Sequence, residues 1–339
     1  MRSMVYGAGS LGTILGACLS ENGADVLLVS RNVDHIEALR REGAHIVGTV
    51  DRRVPVKACL PEEIEGTFDV IYLLTKQQDN PAVARFLRPL LAEGGVVCTL
   101  QNGIPELGLR ESLDDGQILG GIISWSATWK GPGVSELTSP ADSIGFTIGS
   151  PFGVPVETVE RVAEHLSLAG PTQIDGDLLS ARWSKLLVNA AISALSSSLD
   201  LPCGGATHDP SIQPLTLRLL REVIDVGHAQ GVTFRPVGGY PIAQELYAQT
   251  EEERRSAAAK LPSAFDSIQN AVSGVLQDLR KGRVTEVRDI SGVVCRAGRA
   301  VGVPTPCNDR VVEVIEKIQR GELPLSPDNR REYQDLLTE

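Results

Sequence analysis

The stretch Met4-Val5-Tyr6-Gly7-Ala8-Gly9-Ser10-Leu11-Gly12 determines the fold of the first half of the chain. A short apolar run leads directly into Gly-x-Gly-x-x-Gly, and the small residues Gly16 and Ala17 continue a helical pattern. The first two glycines of this fingerprint allow a tight turn and close approach of a pyrophosphate, whose charge the helix N-terminus stabilises. This strand–turn–helix context favours a dinucleotide site over an ordinary glycine-rich turn. The predicted cofactor-binding residues are Gly7, Ala8, Gly9, Ser10, Leu11 and Gly12.

Further apolar runs alternate with helical patterns along the first half of the chain. Residues 4–6, 26–29, 70–74 and 96–100 have the pattern of strands buried on both faces. This alternation predicts an α/β fold with a doubly wound parallel sheet, which is an N-terminal Rossmann domain. After residues 147–149 and a turn at 151–153, we expect one more helix at about 156–168 and a short stretch at 172–174 to complete this domain.

From about residue 177 the strand patterns disappear. Helical periodicity predicts an all-α second domain. The sequence therefore predicts a Rossmann domain over 1–176, a helical domain over 177–325 and a charged, proline-containing surface tail over 326–339. The predicted helical segments are 178–199, 211–230, 241–250, 264–281 and 284–301.

Composition limits the function further. The 339-residue chain is 42% hydrophobic and carries a formal charge of −11, which argues against a nucleic-acid partner. No apolar stretch reaches the roughly 18 residues of a membrane span, and no secretion signal is evident, so we expect a cytoplasmic protein. Scattered cysteines and histidines predict reduced thiols and no metal site, Cys203 and His208 being a weak exception by spacing. Oligomeric state is not readable, although the helical domain could pair into a homodimer.

Polar residues after three predicted strands are candidate cofactor contacts. Val29-Ser30-Arg31-Asn32 has no carboxylate for a ribose 2′-hydroxyl, and Arg31 suits a 2′-phosphate, which favours NADP(H) over NAD. Lys76 is either a second cation for that phosphate or a surface lysine at a strand end. Asn102, in Gln101-Asn102-Gly103, is either a turn residue or a contact at the nicotinamide end.

The helix predicted over 178–199 carries a polar stripe on an otherwise apolar surface. Lys185, Asn189 and Ser193 recur every four residues and share one face. A partly desolvated lysine is a suitable proton donor for an alkoxide, although a lysine extending to solvent is the alternative. Glu286, at the start of a later helix, either interacts with the helix dipole or could meet Lys185 across a cleft between the domains.

Taken together, these residues resemble the ketopantoate reductase family over most of the chain. The resemblance implies a proton-donating Lys185, a site residue Glu286 near substrate and cofactor, and an Asn102 that contacts both the nicotinamide end and the substrate. It also implies that Asn189 binds substrate, that Arg31 and Lys76 hold the 2′-phosphate, and that the Ala127 backbone, in a loop after 120–126, contacts the nicotinamide. The motifs that carry it are 7–12 (Gly-Ala-Gly-Ser-Leu-Gly), 75–76 (Thr-Lys), 101–103 (Gln-Asn-Gly), 131–134 (Gly-Pro-Gly-Val), 148–149 (Ile-Gly), 183–189 (Trp-Ser-Lys-Leu-Leu-Val-Asn) and 285–286 (Thr-Glu).

The chain departs from this family at three substrate positions. Ser193 stands where the family has a second asparagine, and Cys203 stands where another asparagine follows a proline. The family serine that grips the substrate carboxylate falls at Gly274, with Ser273 one residue away, so Ser193 and Ser273 are the candidates left for binding. The role of Cys203 stays open.

Three functions agree with these observations. The first is NADPH-dependent reduction of a small 2-oxo acid, with 2-dehydropantoate to pantoate as the leading candidate. The second is reduction of a different carbonyl or an imine on the same scaffold, which the three departures favour. The third is a non-catalytic NADPH sensor. The presence of both Lys185 and Glu286 counts against it, since a sensor needs no proton donor.

Overall fold

A computed structural model describes residues 1–337 of the chain. The chain folds into two compact units, one from Met1 to Leu178 and one from Leu179 onward. The predicted order, an N-terminal Rossmann domain followed by an all-helical domain, is confirmed.

An eight-stranded sheet forms the centre of the first unit, in the order β12-β11-β8-β7-β6-β1-β2-β5. Strand order reverses beside β1, which pairs in parallel with both β2 and β6, and ligands of open α/β sheets bind at such a switch point. The strands are β1 Arg2–Tyr6, β2 Asp25–Val29, β3 Ala44–Gly48, β4 Arg52–Val54, β5 Lys57–Cys59, β6 Phe68–Leu73, β7 Leu91–Thr99, β8 Ile118–Ile123, β9 Ala127–Gly131, β10 Val134–Leu137, β11 Phe146–Gly149 and β12 Thr172–Ile174.

Register aligns the carboxyl ends of the central strands. Tyr6 of β1 pairs with Val29 of β2 and with Leu73 of β6, and Leu73 in turn pairs with Thr99 of β7. The residues that follow these strands therefore emerge at one edge of the sheet. The helices of this unit are α1 Ser10–Glu21, α2 Val33–Glu42, α3 Asn80–Leu87, α4 Glu106–Leu109 and α5 Val156–Ser167.

Two features of the first unit differ from the sequence prediction. The main sheet is not wholly parallel, because β11 runs antiparallel to β8, as a return without a helical crossover permits. A second sheet, β4-β3-β10-β9, was not predicted, since its strands of three to five residues mix polar and apolar positions. Ala127 is the first residue of β9 and pairs with Leu137, so the prediction of a loop position for it is wrong.

The second unit is built from helices. Its helical segments are α6 Leu178–Leu186, a π-helical segment Leu187–Ser193, α7 Ala194–Ser198, α8 Gly204–Thr207, α9 Gln213–Ala229, α10 Ile242–Glu245, α11 Glu251–Ala264, α12 Gly274–Arg280, α13 Val287–Val301, α14 Pro306–Gln319 and α15 Gln334–Leu337.

Helix boundaries in the middle of this unit differ from the prediction. The helix predicted over 264–281 is present only as α12, and α11 lies where none was predicted. Thr250 explains the start of α11, because its hydroxyl accepts from Glu253 N at 3.2 Å while the Glu253 carboxylate accepts from Thr250 N. Helix α14 was also missed, although Pro306 stands at its first turn, where proline is favoured.

The prediction of a surface tail over 326–339 is wrong in part. Tyr333 is 1% exposed and donates to Ser198 Oγ at 2.7 Å, and the Asn329 amide donates to the Ser198 carbonyl. These contacts anchor the segment on α7, while most of its charged side chains stay exposed. Residues 338 and 339 lie outside the described residues.

None of the helices within residues 1–337 combines the length and apolar character that crossing a bilayer requires. The same range contains no group of three or more His, Cys, Asp or Glu side chains placed to hold a metal ion.

Candidate active site

The glycine-rich loop has a shape that larger residues could not form. Gly7 has φ +102°, and a Cβ there would lie 2.6 Å from Thr75 N. A Cβ on Gly12 would lie 2.4 Å from the Gly7 carbonyl oxygen. By contrast, a Cβ on Gly9 would have no atom within 4 Å. The first and third glycines thus serve backbone packing, whereas the second faces open space.

Helix α1 begins at this open space. Gly9 is its N-cap and supplies no side-chain oxygen, so the first-turn amides of Ser10 and Leu11 depend on a partner outside the helix. Nearby, Thr75 Oγ1 is buried and makes no hydrogen bond within the described part of the chain. An open cradle, free helix amides and an unsatisfied hydroxyl fit a dinucleotide pyrophosphate.

Arg31 and Lys76 follow β2 and β6 at the same edge. The Arg31 side chain is 80% exposed, and its nearest carboxylate, Asp79, lies 3.7 Å away. An exposed pair at this distance contributes little, so the guanidinium can turn to a phosphate. Lys76 is partly buried at the N-cap of the 3-10 turn Gln77–Asp79.

A buried polar network supports Asn102. The Gln101 amide nitrogen donates to the Thr75 carbonyl at 2.6 Å and to Asn80 Oδ1 at 2.8 Å, while its oxygen accepts from Thr99 Oγ1 at 2.9 Å. Gln77 Nε2 also donates to the Asn102 carbonyl at 2.5 Å. These bonds join the loops after β6 and β7, so the Asn102 backbone is held in place.

Gln101, Gln77 and Asn80 were not predicted as part of the site. Gln101 is 5% exposed and Asn80 is 2% exposed, which is unusual for amide side chains without a structural task. Their place directly after neighbouring strands is the sequence signal that could have indicated them.

In the second unit, the predicted polar stripe lies on a helix that changes type. The sequence predicted one continuous α-helix over 178–199, but Leu187–Ser193 is a π-helix, so this prediction is wrong in the middle of the segment. Lys185 lies just before the π segment and Asn189 lies within it. Ser291 of α13 donates to the Ala190 carbonyl at 3.4 Å. π-Helical turns are rare and are frequently found at functional sites.

Lys185 is partly buried on α6 and lies near the buried guanidinium of Arg182. Burial, with a smaller contribution from Arg182, lowers the pKa of the Lys185 ammonium to about 8. A lysine with this pKa still carries its proton near neutrality and releases it more readily than an exposed lysine.

Glu286 is the N-cap residue of α13 and is partly buried. Its side chain makes no capping hydrogen bond; Thr285 Oγ1 instead accepts from Val287 N at 3.3 Å. Thr285 N in turn donates to Gln319 Oε1 at 2.6 Å, which attaches this turn to α14. The Glu286 carboxylate is therefore not needed to cap the helix.

Polar side chains at or next to the three divergent positions, 193, 203 and 274, have partners within the protein. Ser273 Oγ caps α12 by accepting from Leu276 N at 3.1 Å and lies 2.7 Å from Ser197 Oγ. Ser193 Oγ lies 3.9 Å from Cys203 Sγ, and Cys203 is 3% exposed. Ser273 thus has a structural task, whereas a Cβ on Gly274 would have no atom within 4 Å.

Within each unit, the structure brings several of the predicted residues together. Gly7–Gly12, Arg31, Lys76 and Asn102 lie at one sheet edge of the first unit, and Lys185, Asn189 and Ser193 lie along one helix of the second.

Two family models match the chain: "Ketopantoate reductase PanE/ApbA" over residues 4–149 and "Ketopantoate reductase PanE/ApbA C terminal" over residues 177–319. The chain belongs to the ketopantoate reductase family. Members of this family are nicotinamide-dependent reductases, so the chain is an oxidoreductase of this type.

Curated members of the ketopantoate reductase family match over most of the chain. The 2-dehydropantoate 2-reductase of Pyrococcus abyssi is 28% identical over 313 residues, which cover 91% of this chain and 94% of that protein. The 2-dehydropantoate 2-reductase of Halobacterium salinarum is 27% identical and covers 94% of this chain and 99% of its own.

Two solved structures have the same fold as this chain. The 2-dehydropantoate 2-reductase of Geobacter metallireducens superimposes with a TM-score of 0.80 at 25% identity, over 94% of this chain and 99% of that one. A D-mandelate dehydrogenase, solved with NADH and anilino(oxo)acetate, superimposes with a TM-score of 0.81 at 22% identity, over 95% and 99% of the two chains. The second likeness shows the fold alone.

Proposed function

We propose that this chain reduces 2-dehydropantoate to pantoate with NADPH. The observation that carries the proposal is Lys185, a lysine with a pKa lowered to about 8 at the start of a π-helical segment. Membership of the ketopantoate reductase family supports the reaction type. NADPH, when bound, supplies a hydride to the carbonyl carbon of the 2-oxo acid.

Lys185 acts as the general acid in this proposal. As the carbonyl becomes a hydroxyl, its oxygen gains a proton, and the Lys185 ammonium donates it. Glu286, at the N-cap position of α13, binds substrate and cofactor. Asn102 contacts the nicotinamide end and the substrate, Asn189 binds the substrate, and the Ala127 backbone contacts the nicotinamide.

The glycine loop and two cations select the cofactor. The loop of Gly7, Ala8, Gly9, Ser10, Leu11 and Gly12 holds the pyrophosphate, as the open space at Gly9 allows. The amides of Gly7, Ala8 and Gly9 donate within the protein, so the first-turn amides of Ser10 and Leu11 donate to the phosphates. Arg31, free to turn from its long contact with Asp79, binds the 2′-phosphate together with Lys76. This assignment predicts NADPH over NADH.

A specific observation favours a second candidate, a 2-oxo acid other than 2-dehydropantoate. Ser273 Oγ is engaged with Leu276 N and Ser197 Oγ, and Ser193 faces the buried Cys203 thiol. A site with fewer hydrogen-bonding groups discriminates less in favour of a polar substrate. The D-mandelate dehydrogenase that shares this fold was solved with anilino(oxo)acetate.

Substrate competition distinguishes the two candidates. The purified protein is incubated with NADPH and an equimolar panel of 2-dehydropantoate, 3-methyl-2-oxobutanoate and phenylglyoxylate, and the products are measured by mass spectrometry. Pantoate as the main product supports the proposal. A main product from one of the apolar acids supports the second candidate, and turnover of none of them contradicts both.

A further inference from the structure

His35 lies inside the first unit and is not a predicted site residue. Its imidazole is fully buried and stacks on Trp129, with ring centroids 4.6 Å apart. Burial lowers its pKa to about 4, so the ring is neutral at physiological pH. A buried neutral histidine needs partners for both of its ring nitrogens.

The hydrogen-bond partners of the His35 ring determine which of its two nitrogens carries the proton. Gly133 N donates to His35 Nδ1 at 2.9 Å, which requires Nδ1 to be unprotonated. The ring proton is therefore on Nε2, and Nε2 donates to Thr13 Oγ1 at 3.1 Å. Thr13 in turn donates its hydroxyl proton to the Ala8 carbonyl at 3.4 Å. The result is a directed chain of hydrogen bonds from Gly133 to the glycine-rich loop.

The Gly133 end of this chain is closely packed. Gly133 has φ +71°, and a Cβ there would lie 3.0 Å from Ala38 Cβ of α2. Its carbonyl accepts from His45 N at 2.8 Å, which joins it to β3. The turn between β9 and β10 is thus held against α2, and a displacement of His35 would be transmitted to it.

His35 also contacts the turn that carries Arg31. Its backbone N donates to Asn32 Oδ1 at 3.1 Å, which caps α2 one residue after Arg31. One residue therefore joins the three segments to which cofactor contacts are assigned above: the loop of Ala8, the turn of Arg31 and the hairpin that begins with Ala127.

We infer that His35 is a positioning residue for the dinucleotide, which it acts on through Thr13 and Ala8. This inference rests on the proposed cofactor site. His35 does not touch the reacting atoms; it fixes the Ala8 peptide, and hence the amides that follow it, relative to the other two segments. Pre-organisation of this kind lowers the cost of binding without adding a contact.

Paired variants separate positioning from stability. Thr13→Val removes the hydroxyl at almost unchanged volume, and Thr13→Ser restores it. His35→Gln can keep a donor near the Nε2 position, whereas His35→Asn can keep only an acceptor near Nδ1. The dissociation constant for NADPH is measured by fluorescence titration well below the unfolding temperature of each variant, and folding is checked by circular dichroism.

Thr13→Val and His35→Asn should raise the dissociation constant for NADPH about tenfold, with kcat at saturating cofactor within about twofold of wild type. Thr13→Ser and His35→Gln should stay within about threefold in affinity. An unchanged affinity in folded Thr13→Val overturns the inference, even if stability falls or the histidine variants fail to fold. Wild-type protein that binds neither NADPH nor NADH contradicts the proposed cofactor site instead.

Discussion

Ser273 and Ser197 are joined by a hydrogen bond of 2.7 Å between their hydroxyl oxygens. Because Ser273 also caps α12, its hydroxyl is committed to the fold. The neighbouring Gly274, in contrast, faces open space at its Cβ position and has no positive φ. A serine at 274 would therefore be tolerated and would offer the hydroxyl that this position lacks.

Gly274→Ser should lower the KM for 2-dehydropantoate roughly fivefold with little change in kcat, because one new hydrogen bond contributes about 1 kcal/mol. Steady-state kinetics at saturating NADPH measures this. Ser273→Ala is the matched control. It should lose about 1 kcal/mol of unfolding free energy through the missing cap and should not show the decrease in KM. An unchanged KM in Gly274→Ser would mean that position 274 does not face substrate.

Two glycines of the loop should respond in opposite ways to alanine. Gly9→Ala places a methyl in open space and should leave the melting temperature within about 1 °C, while it raises the dissociation constant for NADPH at least tenfold by obstructing the pyrophosphate. Gly12→Ala places a methyl against the Gly7 carbonyl and should lower the melting temperature by several degrees. Normal NADPH affinity in Gly9→Ala would argue against this cradle.

Cofactor preference should depend on Arg31. Arg31→Ala should weaken NADPH binding at least about tenfold, as expected for loss of a charged hydrogen bond, and leave NADH binding almost unchanged. Arg41→Ala is a suitable control, since Arg41 is an exposed arginine on α2 that pairs with Glu42. Equal losses for both cofactors in Arg31→Ala would show that this side chain does not bind the 2′-phosphate.

The rate of reduction should fall as pH rises through about 8, because Lys185 must be protonated to act as the acid. The effect on stability has the opposite direction. Since the folded state lowers this pKa from 10.5, the unfolded chain binds more protons between about pH 8 and 10.5, and this residue makes stability rise with pH there. The pH profile of the wild-type rate checks the predicted fall in activity. Thermal unfolding of wild type and Lys185→Met at increasing pH checks the predicted rise in stability. A flat rate profile up to pH 10 would contradict the assignment of Lys185 as the acid.

Local patterns explain why the strand–glycine loop–helix arrangement and the helical position of Lys185 could be predicted from the sequence. Gly7–Gly12 follows a strand and opens a helix within a few residues, and the polar positions of 185–193 repeat on one helix. Long-range pairing explains most of what could not be predicted. The second sheet joins β3 to β10 across about ninety residues, and Gly133 meets His35 across 98.

The π-helical segment was missed for a different reason. Leu187–Ser193 has the composition of an ordinary buried α-helix, and its wider turn is accompanied by packing against α9 and α13. Pattern alone gives no means of detecting such a turn. The burial of Tyr333 in the tail was missed for a similar reason. A single aromatic side chain in a charged segment does not reveal that its hydroxyl donates a hydrogen bond to Ser198.

The most direct test of the account is the single-turnover rate of NADPH oxidation with 2-dehydropantoate in wild type and in Lys185→Ala. A general acid contributes typically 10²–10⁴-fold, so the variant should be slower by at least about a hundredfold while its dissociation constant for NADPH stays within about twofold. A wild-type protein that oxidises NADPH with 2-dehydropantoate no faster than without it, or a Lys185→Ala variant with an undiminished rate, would contradict the central claim.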